Sequence, residues 1–307
     1  MKRFYWSVLL FILPIAVFLG GAEFTLRSQP NIYKYKKAWM DQHAEEVETL
    51  IVGNSFALGG FIPDSLGSNT FNLAIGGQPL LYDYLLFFKW TDKYKHLKTL
   101  IHSIDYKSFY EGSYGLTFFA TDDIQETTYK IYMESKRHSD FSLYNLESRH
   151  FKVLSEKLKR ILSGDYDYTE DYRGWQPGPP FLEELQKTFD RENKKYARMQ
   201  SVPSYKQAKI NMRMIEKEAD WCKSHGVRFV LVFPPHWKTF NHLLSKHQLS
   251  KNRQLIKDLQ LRYPVTYLDY HEDERFIESD FGDRVHLSVC GAKKFSSILA
   301  AELRSMK

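Results

Sequence analysis

The stretch ETLIVGNS, residues 48–55, decides the fold. Its first five residues form a short, mostly apolar run, and the last three are Gly53, Asn54 and Ser55. A brief apolar run that stops at a glycine and a polar residue is typical of a buried strand followed by a loop. In α/β proteins such loops lie at the carboxyl edge of the sheet, where ligands bind.

Working outward, the same pattern recurs along the chain. Four further apolar runs predict strands at 70–74, 97–104, 226–233 and 265–268. Apolar residues at helical spacing predict helices at 79–96, 204–224, 240–261 and 288–305. Strands that alternate with helices indicate a parallel sheet covered on both faces, so the predicted fold class is α/β.

Composition narrows the class of protein. The chain has 307 residues, 43 Lys and Arg against 37 Asp and Glu, and a net charge of +6. A charged fraction of 26% excludes a polytopic membrane protein, and the apolar content excludes a disordered chain. The small basic excess is not concentrated on one segment, which argues against nucleic acid as a partner.

The two cysteines, Cys222 and Cys290, have no metal-binding spacing. We expect two buried free thiols, with one disulfide as the alternative outside the cytoplasm. No motif predicts a metal or a cofactor.

The N-terminus is the exception to this polar composition. Residues 4–22 carry no charge, follow Lys2 and Arg3, and would span about 28 Å as a helix. A bilayer core is about 30 Å thick, so the segment predicts an uncleaved single-pass anchor, with a cleaved signal peptide as the alternative. Either places the rest of the chain outside the cytoplasm, periplasmic or extracellular, and secreted if cleavage occurs.

The predicted organisation has three parts. Residues 1–27 form the anchor segment, 28–47 a connector with a short helix, and 48–307 the α/β domain. Residues 106–203 interrupt the strand–helix rhythm and read as a mostly helical insertion, with helices at 143–163 and up to about 199. Its aromatic loop at 164–180 could stack on sugar rings or pack inward.

Three features at the ends of predicted elements point to acyl transfer. Ser55 follows the first strand, Gly77 follows the second, and Asp283 and His286 precede the last helix. Serine is a weak nucleophile that needs a base, and the base needs an orienting group. Glycine lets a backbone N–H come close to a substrate oxygen.

Other polar residues fall on the same predicted edge. Asn54, Asp105, Tyr106 and His236 each follow a strand and are candidate substrate contacts. His236 is also a rival base, placed second because His286 has a carboxylate three residues away. His102 lies within a strand and is expected to be a satisfied core histidine.

Taken together, these blocks resemble the SGNH, or GDSL-type, hydrolase superfamily. The resemblance rests on Gly53-Asn54-Ser55, on the segment 72–77, and on Asp283-x-x-His286. It implies a flavodoxin-like three-layer α/β/α sandwich, with Ser55 as nucleophile, His286 as base and Asp283 as its orienting group. It further implies that the backbone N–H groups of Ser55 and Gly77 form the oxyanion hole. The layout is also similar to membrane-anchored proteins of polysaccharide O-acetylation and of D-alanylation.

The sequence departs from the family at the third block, where an Asn is usual. Residues 102–106 read HSIDY, and an ionised Asp105 beside an oxyanion would oppose it. Either Ser103 or Tyr106 substitutes for the missing donor, or the hole has two members.

Two functions are therefore expected. The first is an extracytoplasmic serine acyl-esterase or O-acyltransferase, with acetyl as the acyl group, acting on a polysaccharide or another acylated glycan. The alternative is a catalytically degenerate protein that binds glycan or assembles with a membrane-bound acyltransferase.

Overall fold

Five short strands form one parallel sheet in the order β2-β1-β3-β4-β5. The computed structural model describes residues 2–112, 122–135, 146, 151–164, 172–181, 193–195, 197–198 and 205–306. The strands are β1 Thr49–Val52, β2 Thr70–Asn72, β3 Thr99–Ser103, β4 Arg228–Phe233 and β5 Val265–Asp269. This order is that of flavodoxin-like doubly wound sheets, so the predicted α/β class is confirmed.

The strands form where the sequence is apolar because both faces of the sheet are covered. Apart from Thr49 and Arg228 at their starts, every residue of β1, β3 and β4 is buried. In register, Ile51 pairs with Ile101, and Ile101 with Val230. Parallel strands buried on both faces read as continuous apolar runs, which is the pattern that predicted them.

Helices connect the strands, and Pro63–Leu66, Tyr205–Ser224 and Lys246–Gln260 contact β2, β4 and β5 respectively. The described helices are Lys2–Ser28, Ile32–His43, Ser55–Gly60, Pro63–Leu66, Leu80–Lys89, Asp122–Met133, Phe151–Ser163, Tyr205–Ser224, Lys238–Asn241, Lys246–Gln260 and Val289–Ser305, with 3-10 turns at Thr91–Lys93 and Glu278–Asp280. The helix predicted at 204–224 and the last helix are thereby confirmed. Of the predicted insertion, 143–145, 147–150 and most of the helix ending near 199 lie outside the described residues.

The start of one predicted helix is wrong, because a capping side chain rather than the spacing of apolar residues determines where that helix begins. The segment predicted as one helix at 240–261 is a short helix, Lys238–Asn241, and a longer one that begins at Lys246. Ser245 caps the longer helix, since its hydroxyl accepts a hydrogen bond from the Gln248 backbone N–H. The predicted start at 240 is therefore wrong.

The chain folds as two compact units. One comprises residues 1–37 and 119–169, and the other residues 38–118 and 170–307. The sheet and its core belong to the second unit. The predicted boundaries at 27 and 47, and the insertion at 106–203, stay predictions.

The last helix, Val289–Ser305, packs against the segment that follows β1 through aromatic and small residues. The ring of Phe295 lies edge-on to Phe61 at 5.0 Å and to Tyr270 at 5.2 Å between ring centroids. The Ser296 hydroxyl donates to the Gly60 carbonyl and accepts from the Ile62 N–H. These contacts fix the helix against residues 55–62.

The N-terminal segment forms a 27-residue helix, Lys2–Ser28, which is long and apolar enough to cross a membrane. At 1.5 Å per residue it extends about 40 Å. A signal sequence has the same character, so the choice between anchor and signal, and the side on which the body lies, stay predictions.

Both cysteines are free thiols. Cys222 is buried as expected, whereas Cys290 is exposed, and the expectation that it is buried is wrong. It lies near the start of the last helix, on a turn whose outer face remains in solvent.

Candidate functional site

The structure brings Ser55, His286 and Asp283 into one hydrogen-bonded series. His286 Nε2 lies 2.8 Å from Ser55 Oγ, and His286 Nδ1 lies 2.7 Å from Asp283 Oδ2. All three residues are partly exposed, so a ligand can reach them. The series has the connectivity of a nucleophile, a base and an orienting carboxylate.

A strained turn after β1 holds Ser55 at the start of the helix Ser55–Gly60. Gly53 has φ of +145°, and a Cβ at that position would lie 2.9 Å from the Ser103 Cβ. Only glycine fits this backbone and this space. Asn54 then caps the helix, because its Oδ1 accepts a hydrogen bond from the Phe56 backbone N–H at 3.1 Å.

A tight loop orients Asp283 toward the imidazole. Asp283 Oδ1 accepts hydrogen bonds from the backbone N–H groups of Val285 and His286, both at 2.8 Å, which leaves Oδ2 facing the ring. Burial favours the neutral acid, but the neighbouring imidazole and these hydrogen bonds outweigh it and lower the pKa of Asp283. The carboxylate is therefore charged at neutral pH.

Asp105 is engaged with Asn54 and with its own loop. Its Oδ2 accepts from Asn54 Nδ2 at 3.0 Å. Its Oδ1 accepts from the backbone N–H groups of Lys107 and Ser108 and from the Ser108 hydroxyl, at 2.8 to 2.9 Å. Both Asn54 and Asp105 are buried. This geometry favours a bracing role between the β1 and β3 loops, and substrate contact by either residue stays a prediction.

Tyr106 is fully buried and braces the other side of the β3 loop. Its hydroxyl accepts from the Ser245 backbone N–H at 3.1 Å. Its carbonyl accepts from Gln248 Nε2 at 3.0 Å and from Asn252 Nδ2 at 2.9 Å. The predicted substrate contact at Tyr106 is likewise untested.

Gly77 lies beyond β2 in a left-handed conformation with φ of +68°, and the space where a Cβ would stand is open. The next residue joins this loop to the Ser55 turn, since Gln78 Nε2 donates to the Gly53 carbonyl at 3.2 Å and to Asp83 Oδ1 at 2.5 Å. The buried side chain of Gln78 thus connects the loop of Gly77 to the turn before Ser55.

Beneath this link lies a buried cluster that the sequence patterns did not reveal. His102 Nδ1 lies 2.8 Å from Glu218 Oε2, and His102 Nε2 lies 3.5 Å from Asp83 Oδ2. Burial alone would lower the pKa of His102, but the two carboxylates raise it to about 10. Burial raises the pKa of both Asp83 and Glu218. The expectation that His102 is a satisfied core histidine is confirmed.

Acidic residues on otherwise apolar helix faces were the available signal for this cluster. Asp83 and Glu218 interrupt the buried faces of Leu80–Lys89 and Tyr205–Ser224. Buried carboxylates are rare without a partner, but spacing alone does not say which partner they meet.

His236 lies next to the series without joining it. Its ring is buried against Phe56, with centroids 4.8 Å apart, and His286 stacks on the same Phe56 at 5.2 Å. Neither ring nitrogen of His236 has a hydrogen-bond partner among the described residues. Burial lowers its pKa to about 3, so the ring is neutral. Ser55 Oγ is hydrogen-bonded to His286 Nε2, not to this rival base.

The described part of the aromatic loop, residues 172–181, packs against the helix Ser55–Gly60. Trp175 is buried, and its Nε1 donates to the Gly59 carbonyl at 2.8 Å. Tyr172 is 47% exposed. Of the two alternatives for the aromatic loop, stacking on sugars or packing inward, Trp175 therefore packs inward. Residues 165–171 lie outside the described part of the chain.

Comparison with known proteins adds little to this geometry. No protein family and no curated protein matches the sequence. Among solved structures, the chain is similar to a Bacteroides fragilis NCTC 9343 protein described as a "putative acylhydrolase", with TM-score 0.39 and 14% identity over 91% of this chain and 100% of that chain. Any function therefore has to be argued from the site itself.

Proposed function

We propose that this protein is a serine acyl-esterase or O-acyltransferase with Ser55 as nucleophile. The observation that carries the proposal is the series Ser55 Oγ to His286 Nε2, 2.8 Å, and His286 Nδ1 to Asp283 Oδ2, 2.7 Å. These separations suit proton transfer from the hydroxyl to the imidazole as the hydroxyl attacks a carbonyl.

The reaction would proceed through an acyl-enzyme. Ser55 Oγ bonds to the acyl carbon while His286 accepts the hydroxyl proton, and the tetrahedral intermediate then expels the alcohol, which takes that proton. Water or a sugar hydroxyl next attacks the acyl-enzyme, giving its proton to His286, which returns it to Ser55. Asp283 stabilises the transient imidazolium throughout.

The oxyanion hole in this proposal consists of the backbone N–H groups of Ser55 and Gly77. Of the two candidates for a third donor, the Tyr106 hydroxyl is buried and accepts from the Ser245 backbone N–H, and the Ser103 hydroxyl is buried with no hydrogen-bond partner among the described residues. A hole with these two members lacks the donor that the usual Asn would supply. Loss of one such donor lowers the rate by a factor of about 10²–10³.

The substrate we propose is an acylated glycan, with acetyl as the acyl group, outside the cytoplasm. The support for the location is the apolar helix Lys2–Ser28, with Lys2 and Arg3 on its N-terminal side. A membrane-bound acyltransferase is a possible partner that would supply or receive the acyl group.

The direct test is hydrolysis of p-nitrophenyl acetate by the full chain in detergent. The variant Ser55→Ala should lose at least about 10³-fold in kcat/KM, because it removes the hydroxyl that attacks the acyl carbon. Ser250→Ala, at an exposed serine of Lys246–Gln260, is the matched control and should retain full activity. Equal turnover by the wild type and Ser55→Ala would refute the proposal.

The second candidate is a degenerate member of the fold that binds glycan or assembles with a membrane acyltransferase. It is favoured by Asp105, a carboxylate at the place where the resembled family has a neutral donor. A fluorophosphonate probe separates the two, because only an activated Ser55 forms a covalent adduct that mass spectrometry can locate. Absence of an adduct, with glycan binding intact, would favour the binder.

A further inference from the structure

A cavity of about 670 Å³ has His236 in its lining, but not Ser55, His286 or Asp283. Its volume lies within the range of small-molecule sites. Its walls come from two loops at the carboxyl edge of the sheet, after β4 and after β5. The lining residues the argument uses are His236, Trp237, Lys238, Asn241, Glu274 and Phe281.

Two buried side chains of this cavity have polar atoms without a hydrogen-bond partner among the described residues. His236 is 4% exposed, and neither ring nitrogen has a hydrogen-bond partner among the described residues. Asn241 is 6% exposed, and its Oδ1 is unpaired in the same sense, although its Nδ2 donates to the His236 carbonyl at 3.3 Å. Burying such atoms without a partner is unfavourable. A ligand that both donates and accepts hydrogen bonds would satisfy them.

The charges of the lining favour one class of ligand. Four acidic residues, Glu272, Asp273, Glu274 and Glu278, line the cavity with one lysine, Lys238, and of these four carboxylates that of Asp273 is paired with Arg275. Such a lining repels an anionic group, and it offers many acceptors to hydroxyl donors. Trp237 and Phe281, with ring centroids 5.4 Å apart, add an apolar wall. A neutral imidazole and apolar rings beside acceptors suit a sugar, whose ring has hydroxyl edges and apolar faces.

The cavity is also close to the reacting groups. The rings of His236 and His286 both lie against Phe56, at 4.8 and 5.2 Å between centroids. Phe281 forms a backbone bridge with Leu287, the residue after His286. His236 in the cavity lining and His286, the base in the proposed function, therefore share Phe56 as a neighbour.

We propose that this cavity binds a neutral sugar unit of the acylated substrate or of the acyl acceptor, and that it rejects uronic acids. His236 and Asn241 would bind hydroxyl groups at its base, and the acidic rim would exclude a carboxylate. The inference rests on the proposed function for the identity of the reaction, but binding of the sugar requires no turnover.

The test is calorimetric titration of the full chain in detergent with uncharged and anionic tetrasaccharides. The neutral probes are tetrasaccharides of glucose, of mannose and of galactose, and the anionic probe is tetragalacturonic acid. At least one neutral probe should bind saturably, at least tenfold tighter than the uronate. His236→Phe should weaken that binding at least tenfold, whereas His247→Phe, at an exposed histidine, should not change it.

A second variant avoids the risk of a misfolded core. Glu274 is exposed, so Glu274→Lys should fold normally and should shift the ratio of neutral to uronate affinity at least tenfold toward the uronate. The inference is overturned if no neutral probe binds, if the uronate binds as tightly as the best neutral probe, or if both variants bind like the wild type. Ser55-dependent esterase activity with no neutral-sugar binding would sink this inference alone. Sugar binding without that activity would instead remove the proposed reaction.

Discussion

Asn54 Nδ2 donates a hydrogen bond to Asp105 Oδ2 across 3.0 Å, and this contact joins the loops that follow β1 and β3. The same Asn54 caps the helix that begins with Ser55. One side chain therefore anchors the turn before Ser55 to the loop after β3 and caps the helix Ser55–Gly60. The Asp105 carboxylate, which the sequence suggested would oppose an oxyanion, instead accepts four hydrogen bonds within the sheet unit.

Asn54→Ala should lower both stability and rate. Loss of a helix cap costs about 1 kcal/mol in the free energy of unfolding, and loss of the Asp105 contact displaces Ser55. We expect at least a tenfold fall in kcat with p-nitrophenyl acetate. Ser245→Ala removes the cap of Lys246–Gln260 and should cost similar stability without the fall in kcat. Parallel losses of rate in both variants would mean that Asn54 acts through stability alone.

Asp283→Asn should abolish most of the activity while leaving the fold intact. The amide keeps an acceptor for the backbone N–H groups of Val285 and His286, but it no longer stabilises the imidazolium. A comparable change in a serine protease lowers kcat about 10⁴-fold, and we expect about 10³–10⁴ here. Steady-state kinetics at pH 7 to 8 measures this, with Asp258→Asn on an exposed helix as control. A loss smaller than tenfold would contradict the role given to Asp283.

His102→Leu should destabilise the sheet unit by about 3–5 kcal/mol, because it leaves the buried carboxylates of Asp83 and Glu218 without a cation. Denaturant unfolding of the full chain in detergent measures the loss. His96→Leu, at an exposed histidine, should have little effect. A change below 1 kcal/mol for His102→Leu would show that the cluster is not an ion pair.

The same cluster predicts how stability depends on pH. The folded pKa of His102, about 10, exceeds its ordinary value of 6.5, so its stabilisation is complete below pH 6.5 and is lost as the pH rises toward 10. The raised pKa values of Asp83 and Glu218 act in the same direction at lower pH. Unfolding free energies at pH 6, 8 and 10 should therefore decrease in that order in the wild type. In His102→Leu the decrease between pH 6.5 and 10 should be smaller, and identical slopes would contradict this assignment.

The helix Lys2–Ser28 should keep the full chain in the membrane fraction after alkaline extraction. Mass spectrometry of the extracted protein should find a chain that retains residues 2–28, and deletion of these residues should release the rest into solution. An N-terminus near residue 23 would instead establish a cleaved signal. Val17→Arg places a charge within the apolar span, at an estimated cost of about 2.5–3.5 kcal/mol, and should weaken insertion.

Much of this architecture could be predicted from the sequence because the carboxyl ends of parallel strands lie at one edge of the sheet. Each apolar run, one followed by Ser55 and one by Gly77, could be identified from the local sequence. Asp283 and His286, just before the last helix, could be identified in the same way. Their meeting at one edge follows from the topology of the fold. The hydrogen-bonded geometry itself comes from the docking of Val289–Ser305, which no local pattern encodes.

What the sequence did not reveal depends on packing between distant segments. Asp83 and Glu218 lie on two different helices, and only tertiary packing shows that both face His102. The contact between Asn54 and Asp105 requires the register of β1 beside β3. The start of Lys246–Gln260 depended on the single hydroxyl of Ser245, which outweighed the apolar spacing upstream of it.

Ser55 and His286 are separated by 231 positions, and the imidazole is delivered by the loop before the last helix. A chain grows from its N-terminus, so Ser55 leaves the ribosome long before its partner exists. The helix that follows His286 is itself secured to Gly60 through Ser296 and to Phe61 through Phe295, both of which come later in the chain than His286. A chain that ends before residue 286 would thus carry Ser55 without its hydrogen-bonded imidazole, and the proposed reactivity would require synthesis beyond residue 296.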